Sequence, residues 1–340
     1  MIDVSKIEAA FNKIVSGTRG KIYSQLMSNM EVKSPLYELL KRNTKSGFKD
    51  GTYYVGVNSY LSEVLQAWQK TKTSKGGIEF IPNEIRQKRH MIYIDDISPD
   101  DVVKVLEAMD MFDETKEPTD QDIVLYIIDQ VTRKANEDRL YEQLYRGKYV
   151  APTSGVAGPA QNSIDGFGEI LEAGLEETDP NKKINNCDIG IIDLDLAYEQ
   201  LKDFGKQIPE KYRTRPMNAF VSDDVKIAFL EGRESAIGTH VNTNDKNPDY
   251  IPFTNIRLWS EPSMVGSKRI FTTPDWNLRR IIDKKTDLGN LRAKEFAIDL
   301  VTVSGHYHEA WGFEMNNFVW TNAFSNSGSG GGEENETYVD

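Results

Sequence analysis

The stretch DIVLYIIDQVTRKANEDRLYEQLYRGK, residues Asp122 to Lys148, decides how the rest of the chain is read. Ile123, Ile127, Val131 and Ala135 recur at i,i+4 spacing, and Leu140 and Leu144 continue the stripe. Neither Pro nor Gly interrupts from Asp120 to Arg146, and Gly147 offers a stop. The pattern predicts a helix over 120–146, about 40 Å long at 1.5 Å per residue. Asp129, Arg133, Lys134, Glu137, Asp138 and Arg139 fall on its other faces. The expectation is therefore a spar with one face packed on a sheet.

Upstream, ISPDDV reads as a helix start: Ser98 can cap, Pro99 suits the first position and Asp101 lies in the first turn. Val102, Val103, Leu106 and Met109 form its face. Before it, GTYYVGVNSY has strand composition, and KTKTSKGG, between Trp68 and the β-prone Ile78 to Ile81, is loop-like. A long hairpin with a basic, Gly-containing tip follows from this. SKGG lacks Walker spacing and a strand-loop-helix context, so a phosphate cradle is not assigned. The first residues, with SKIEAAFNKIV and SPLYELLKRN, place Ile7, Phe11 and Ile14 at helical spacing and read as an arm with short helices.

Downstream, YVAPTSGVAGPAQNSIDGFGEIL is a Gly- and Pro-rich connector into a second lobe. Asn218 to Val221 reads as a short strand before a helix capped by Ser222. In IFTTPDWNLRRIID, Ile270 to Asp283, Pro274, Asp275 and Asn277 are turn formers between two β-type runs, giving a strand-turn-strand corner in which Asn277 can bond its own backbone. Tyr307, Trp311, Phe313 and Met315 alternate onto one face of a final β-run.

The chain has 340 residues, 39% hydrophobic and 28% charged, enough to bury a substantial core. Only SNSGSGGGEENETYVD at the end has a disordered composition. No run is apolar and long enough to span a bilayer, and Met1 to Ala10 carries acids where a signal peptide needs an apolar core, so a soluble, unexported protein is expected. The single cysteine, Cys187, excludes an internal disulfide and reads as a small core-edge residue. Residues 1–90 hold 15 Lys and Arg against 8 Asp and Glu, whereas residues 91–340 hold 26 against 45. The lysines and arginines of the basic end are interspersed with acids and aromatics, unlike a nucleic-acid arm; a basic arm lying on an acidic surface, its own or a neighbour's, fits better.

Candidate chemistry is sparse. Of four histidines, His90, His240, His306 and His308, the last two alternate onto one strand face, but a third ligand is missing nearby, so no metal is assigned and a solvated or intersubunit face is expected. The pairs Asp95 with Asp96, Asp193 with Asp195 and Asp223 with Asp224 leave open a hydrolase using two carboxylates as acid and base. No nucleophile or phosphate motif is present, and no catalytic residue or cofactor is assigned.

The order of these elements, from about Ser34 to Asn322, resembles the major capsid proteins of tailed bacteriophages, the Hong Kong 97 fold. AWQKTKTSKGGIEFIPNEIRQKRHMIYIDDISPDDV resembles that family's extended loop and its return, and DIVLYIIDQVTRKANEDRLYEQLYRGK its spine helix. MNAFVSDDVKIAFLEGRES, IRLWSEPSM and RIFTTPDWNLRRIID resemble its axial-domain run and corner. The resemblance implies an α+β chain: N-terminal arm at 1–47, extended loop and flanking strands at 48–96, peripheral domain at 97–160, axial domain at 161–290, return strands at 291–324 and a disordered tail at 325–340. It implies a non-enzymatic subunit that self-assembles as pentamers and hexamers into an icosahedral shell around double-stranded DNA. Its partners would be its own copies, scaffold, portal and decoration proteins, and DNA held weakly and non-specifically, with no membrane; assembly would take place in the host cytoplasm and the product would be the virion capsid. Nothing comparable to a cleaved helical scaffold region precedes the arm, which points to a separate scaffold or a mature form, and no cross-linking residue can be matched. Lys70, Lys72 and Lys75 are the loop-tip candidates for intersubunit contact. A shell of the same fold around protein cargo, as in bacterial encapsulins, stays open beside it.

Overall fold

The computed structural model describes residues 4–17, 33–47, 52–59, 67–71, 80–108, 119–180, 182–237, 249–283, 292–297 and 300–322. Lys72, Lys75, Met109, His240 and the 325–340 tail lie outside the described residues. The described residues form a mixture of helix and sheet built around two five-stranded sheets and a two-stranded ribbon.

The centre of the first sheet is β11 (Leu300–Phe313), whose length lets one of its edges hold two different neighbours in succession. On one edge it pairs antiparallel with β4 (Lys88–Ile97), from Val301 opposite Ile97 to Glu309 opposite Lys88. On the other edge its first half pairs with β10 (Arg292–Ala297) and its second half with β9 (Leu278–Asp283). β1 (Thr44–Gly47) then adds parallel to β9. Tyr307, Trp311 and Phe313 are buried, but so is every residue between Tyr307 and Phe313, so this half of β11 is covered on both faces and Tyr307 packs in a different core from Trp311 and Phe313; Met315 lies just past the strand.

The long helix packs on this sheet. It is α-helical from Asp120 to Glu137, and the reading of the sequence as one regular helix to Arg146 fails beyond that point: Asp138–Gln143 is π-helical, with Leu144 N donating to Arg139 O at 2.9 Å. Its start is a capping box in which Thr119 Oγ1 accepts from Asp122 N and the Asp122 carboxylate accepts from Thr119 N. Ile123, Val124, Ile127 and Val131 are buried against Val301, Val303 and Tyr307. α1 (Val4–Gly17) covers the same apolar surface through Ile7 and Phe11, both essentially fully buried. Burying one such side chain stabilises by about 1.5–3 kcal/mol. The first helix of the arm therefore docks on its own molecule through apolar contact. α3 (Pro99–Ala108) begins as the sequence indicated, with Ser98 Oγ accepting from Asp101 N at 3.3 Å.

The second sheet runs β5 (Asn185–Asn186), β12 (Trp320–Thr321), β8 (Phe271–Thr273), β6 (Met217–Val221) and β7 (Ile256–Ser260). Among the helices around it, Leu201 and Phe204 of one spanning Ala197–Gln207, and Val225 and Phe229 of another spanning Asp223–Ile237, join Ala219, Val221, Ile256 and Leu258 in one core. The corner at Pro274 to Asn277 is found, and it joins strands of different sheets: β8 belongs to the second and β9 to the first. Asn277 is fully buried there, and its side chain bonds Thr273 Oγ1 together with Met315 N and O instead of its own backbone. It ties the corner to the chain leaving β11.

Gly147 ends the long helix for a reason other than left-handed backbone. A Cβ at this position would come within 2.5 Å of both Gln143 O and Ile164 O. The glycine permits close approach of two backbone segments.

Candidate functional site

Two places carry the unusual chemistry and the unusual exposure of this molecule: a buried charge cluster where the arm meets both sheets, and a finger that leaves the body.

The cluster begins with α2 (Pro35–Arg42), whose N-terminus is capped by Ser34. Glu261, itself completely buried, accepts from Ser34 Oγ at 2.8 Å, Leu36 N at 3.0 Å and Ser263 Oγ at 2.9 Å. Burial pushes the Glu261 carboxyl above its usual range, against these hydrogen bonds, which favour the charged form. One turn into α2, Tyr37 faces two arginines: its ring centroid is 6.0 Å from the Arg139 guanidinium and 5.4 Å from that of Arg280. Between these sits Glu309, paired with Arg280 Nε at 2.5 Å and with Arg139 Nε at 3.3 Å. All three side chains are at most 4% exposed. Burial alone would raise the Glu309 carboxyl; the Arg280 and Arg139 guanidiniums outweigh it and hold it at about 2. Tyr307 lies under Arg139 at 5.4 Å and stacks on His90 at 4.8 Å. Burial pushes the His90 imidazole down to about 4, with Arg139 and His308 adding to the effect and Glu309 opposing it.

Arg139 was expected on the solvent face of the helix and is instead buried. It stands four residues after Ala135 and three after buried Asn136, in line with the helix's buried stripe, and Asn136 Oδ1 accepts from its Nη1 at 3.0 Å. His308, read as lying on a solvated or intersubunit face, is also buried, while His306 is half-buried. Among the described residues no group of three metal-ligating side chains is assembled. The three Asp pairs lie exposed, and Asp193 and Asp223 accept from Asp195 N and Ser260 Oγ. Cys187 is buried, its thiol pushed up to about 12.

The finger is β2 (Thr52–Ser59) paired antiparallel with β3 (Phe80–Arg86), Thr52 opposite Arg86 and Ser59 opposite Phe80. Among the described residues it pairs with neither large sheet. In the connection between the strands, residues 67–71 are all exposed, Lys70 among them. Trp68 is 89% exposed, the most exposed of the large apolar side chains described. In the sequence it served only as a boundary to the loop; an aromatic beside a basic, strand-breaking run was the available signal. The base of the finger meets the first sheet through Ile85, packed with Ile281 and Ala310.

No family model matches this chain, and no curated protein does. Among solved structures, the satellite phage P4 procapsid including size determination (Sid) protein is similar with a TM-score of 0.49 and 13% identity, covering 88% of this chain and 98% of that one. The capsid of an empty GTA particle gives 0.49 and 8%, covering 87% and 97%. The cyanophage A-1(L) capsid gives 0.48 and 11%, covering 87% and 93%. All three are capsid or procapsid structures, and all three scores are below 0.5.

Proposed function

We propose that the chain is the structural subunit of a self-assembling shell, a major capsid protein of the tailed-bacteriophage type with the Hong Kong 97 arrangement of arm, extended loop, peripheral and axial parts. The observation that carries this reading is the finger: a two-stranded ribbon outside both sheets whose far segment is wholly exposed and bears an indole. A solvated tryptophan of this kind is stabilised by burial in a partner. The remainder of the molecule supplies the stiffness that a building block needs, with the long helix bolted to the first sheet by α1 on one stretch and by the Arg139–Glu309–Arg280 cluster on the next.

On this reading copies form pentamers and hexamers that close into an icosahedral shell in the host cytoplasm. Scaffold, portal and decoration proteins join them, and the acidic body, with 45 Asp and Glu against 26 Lys and Arg beyond residue 90, faces packed double-stranded DNA without binding it tightly. Lys70, Lys72 and Lys75 serve intersubunit contact and no residue is catalytic. Electron microscopy of the purified protein across concentration and salt tests the proposal. Regular capsomers or closed shells are expected; a monomer under every condition would refute it, and a closed shell whose contents are protein in place of nucleic acid would replace the DNA role with a cargo role.

A further inference from the structure

A groove of about 430 Å³ opens where β3, β11 and the helix α5 (Phe167–Glu176) meet. Its floor is apolar, formed by Ile85, Ile170, Trp311 and Phe313. The walls are fixed: Trp311 Nε1 donates to Asp165 O at 2.9 Å, and Asn83 Nδ2 donates to Phe313 O at 2.8 Å. Acids outnumber bases on its rim, with Glu84, Asp165 and Glu177 against Arg86 and Lys182. The volume and the mixture of apolar floor and few polar groups match sites that take a single large side chain or small ligand.

We propose that the occupant is Trp68 of a second copy of this chain, a proposal that rests on the shell-subunit reading and gives it an address. Trp68 is 89% exposed and is absent from the lining of its own groove, so the same molecule does not fill it. Asn83 to Arg86 border the groove beside the Thr52 end of the ladder, and the connection that carries Trp68 joins the strands at the Ser59 end, on the order of 20 Å along the ladder at 3.4 Å per residue. The indole would cover the apolar floor with its Nε1 directed to the rim. Arg86 Nη2 already pairs with Glu84 at 3.4 Å, so Lys70, two residues after Trp68, would meet the carboxylates of Asp165 and Glu177. Knob and hole are different surfaces of one molecule, so the contact is head-to-tail and propagates around a ring. The same hairpin supplies both: its tip enters the next copy, and its base forms a wall of the hole that receives the previous one.

The test replaces Trp68 with photoreactive benzoylphenylalanine in one population and mixes it with an isotope-labelled wild-type population before assembly. Irradiation and mass spectrometry then show which chain and which residues are joined. Cross-links from residue 68 to labelled peptides containing residues 164–177 or 310–316 are expected. Ala173→Arg, at an exposed position of α5 on the groove wall, should abolish them and raise the concentration needed for assembly at least about tenfold. Shells that form with residue 68 joined to any other surface, or to its own chain, would overturn the groove assignment and leave the shell reading intact. Wild-type protein that never assembles would remove the shell reading and this contact with it.

Discussion

Replacing Glu309 with Gln removes the negative charge that two buried guanidiniums share. The carboxyl is held at about 2 against an ordinary 4.5, a gap of about 2.5 pH units, which corresponds to about 3 kcal/mol of stability from the ionised form at neutral pH. Breaking a buried pair by deleting one partner costs about 3–5 kcal/mol because the remaining charge stays desolvated. The two routes agree, so Glu309→Gln should destabilise the unassembled subunit by about 3 kcal/mol or more. Urea denaturation at pH 7.5, with an unchanged slope, measures it as a fall in midpoint.

The direction with pH provides a second reading of the same group. A carboxyl whose folded value is depressed contributes stability that is complete above 4.5 and is lost as pH falls towards 2. That acid limb should be present in the wild type and flattened in Glu309→Gln. The triple variant Glu309→Met with Arg139→Met and Arg280→Met removes every charge together and should recover most of the loss, since apolar side chains of similar size can replace such a cluster. A cost below about 1 kcal/mol for Glu309→Gln would mean that the cluster is hydrated or rearranged, and the reasoning would fail.

Other substitutions test separate parts. His90→Phe keeps a ring against Tyr307 and removes an imidazole depressed from 6.5 to about 4; the wild type should lose about 2 kcal/mol more than the variant between pH 7.5 and pH 5, read from paired denaturation midpoints. Ser34→Ala deletes the cap of α2 and a donor to buried Glu261, and should cost about 1–2 kcal/mol, with faster amide exchange over residues 35–40. Gly147→Ala sets a methyl against two carbonyl oxygens at 2.5 Å and should lower the denaturation midpoint more than any surface Gly→Ala change. Lys70→Glu with Lys72→Glu and Lys75→Glu should leave the circular dichroism and melting of the monomer unchanged while impairing assembly, most clearly at low salt; normal shells at low salt would discard the contact.

What the sequence made legible follows from period. The stripe Ile123, Ile127, Val131 announces a helix, the Ser98–Pro99 pair announces its predecessor, and alternation announces β11, because each pattern reports which face is dry. The departures occur where a charge takes a dry position. Arg139 breaks the i,i+4 stripe, and a local pattern cannot show that Glu309, 170 residues away, will meet it there. Arg280 between Leu278 and Ile282, and Glu309 beside Ala310 and Trp311, were visible as charges at inward strand positions, and that signal could have located the cluster. Trp68 was passed over as well. It marked only the edge of the loop, although an aromatic beside the basic run KTKTSKGG was a signal that could have singled it out, and the structure shows it 89% exposed.

The composition of the buried cluster bears on why a building block would contain it. Apolar side chains could fill the same space at lower desolvation cost, so stability alone does not account for two arginines and a glutamate there. A carboxylate paired with the Nε groups of two buried guanidiniums has few satisfactory arrangements, whereas packed aliphatic chains tolerate small slips. Arg139 stands on the π-helical turn, Arg280 on β9, Glu309 on β11, and Tyr37 on the helix that Glu261 holds from the end of β7 in the second sheet. One set of side chains therefore fixes where the long helix crosses the first sheet and where α2 lies between the two sheets. A subunit proposed to repeat one shape around a closed shell gains from that registry, because an error at this crossing would shift the base of the finger, joined to the same sheet through Ile85, Ile281 and Ala310, relative to the groove it is proposed to fill on its neighbour. Assembly defects in the triple Met variant despite recovered stability would separate registry from stability; unaltered shells would show that packing alone sets the crossing.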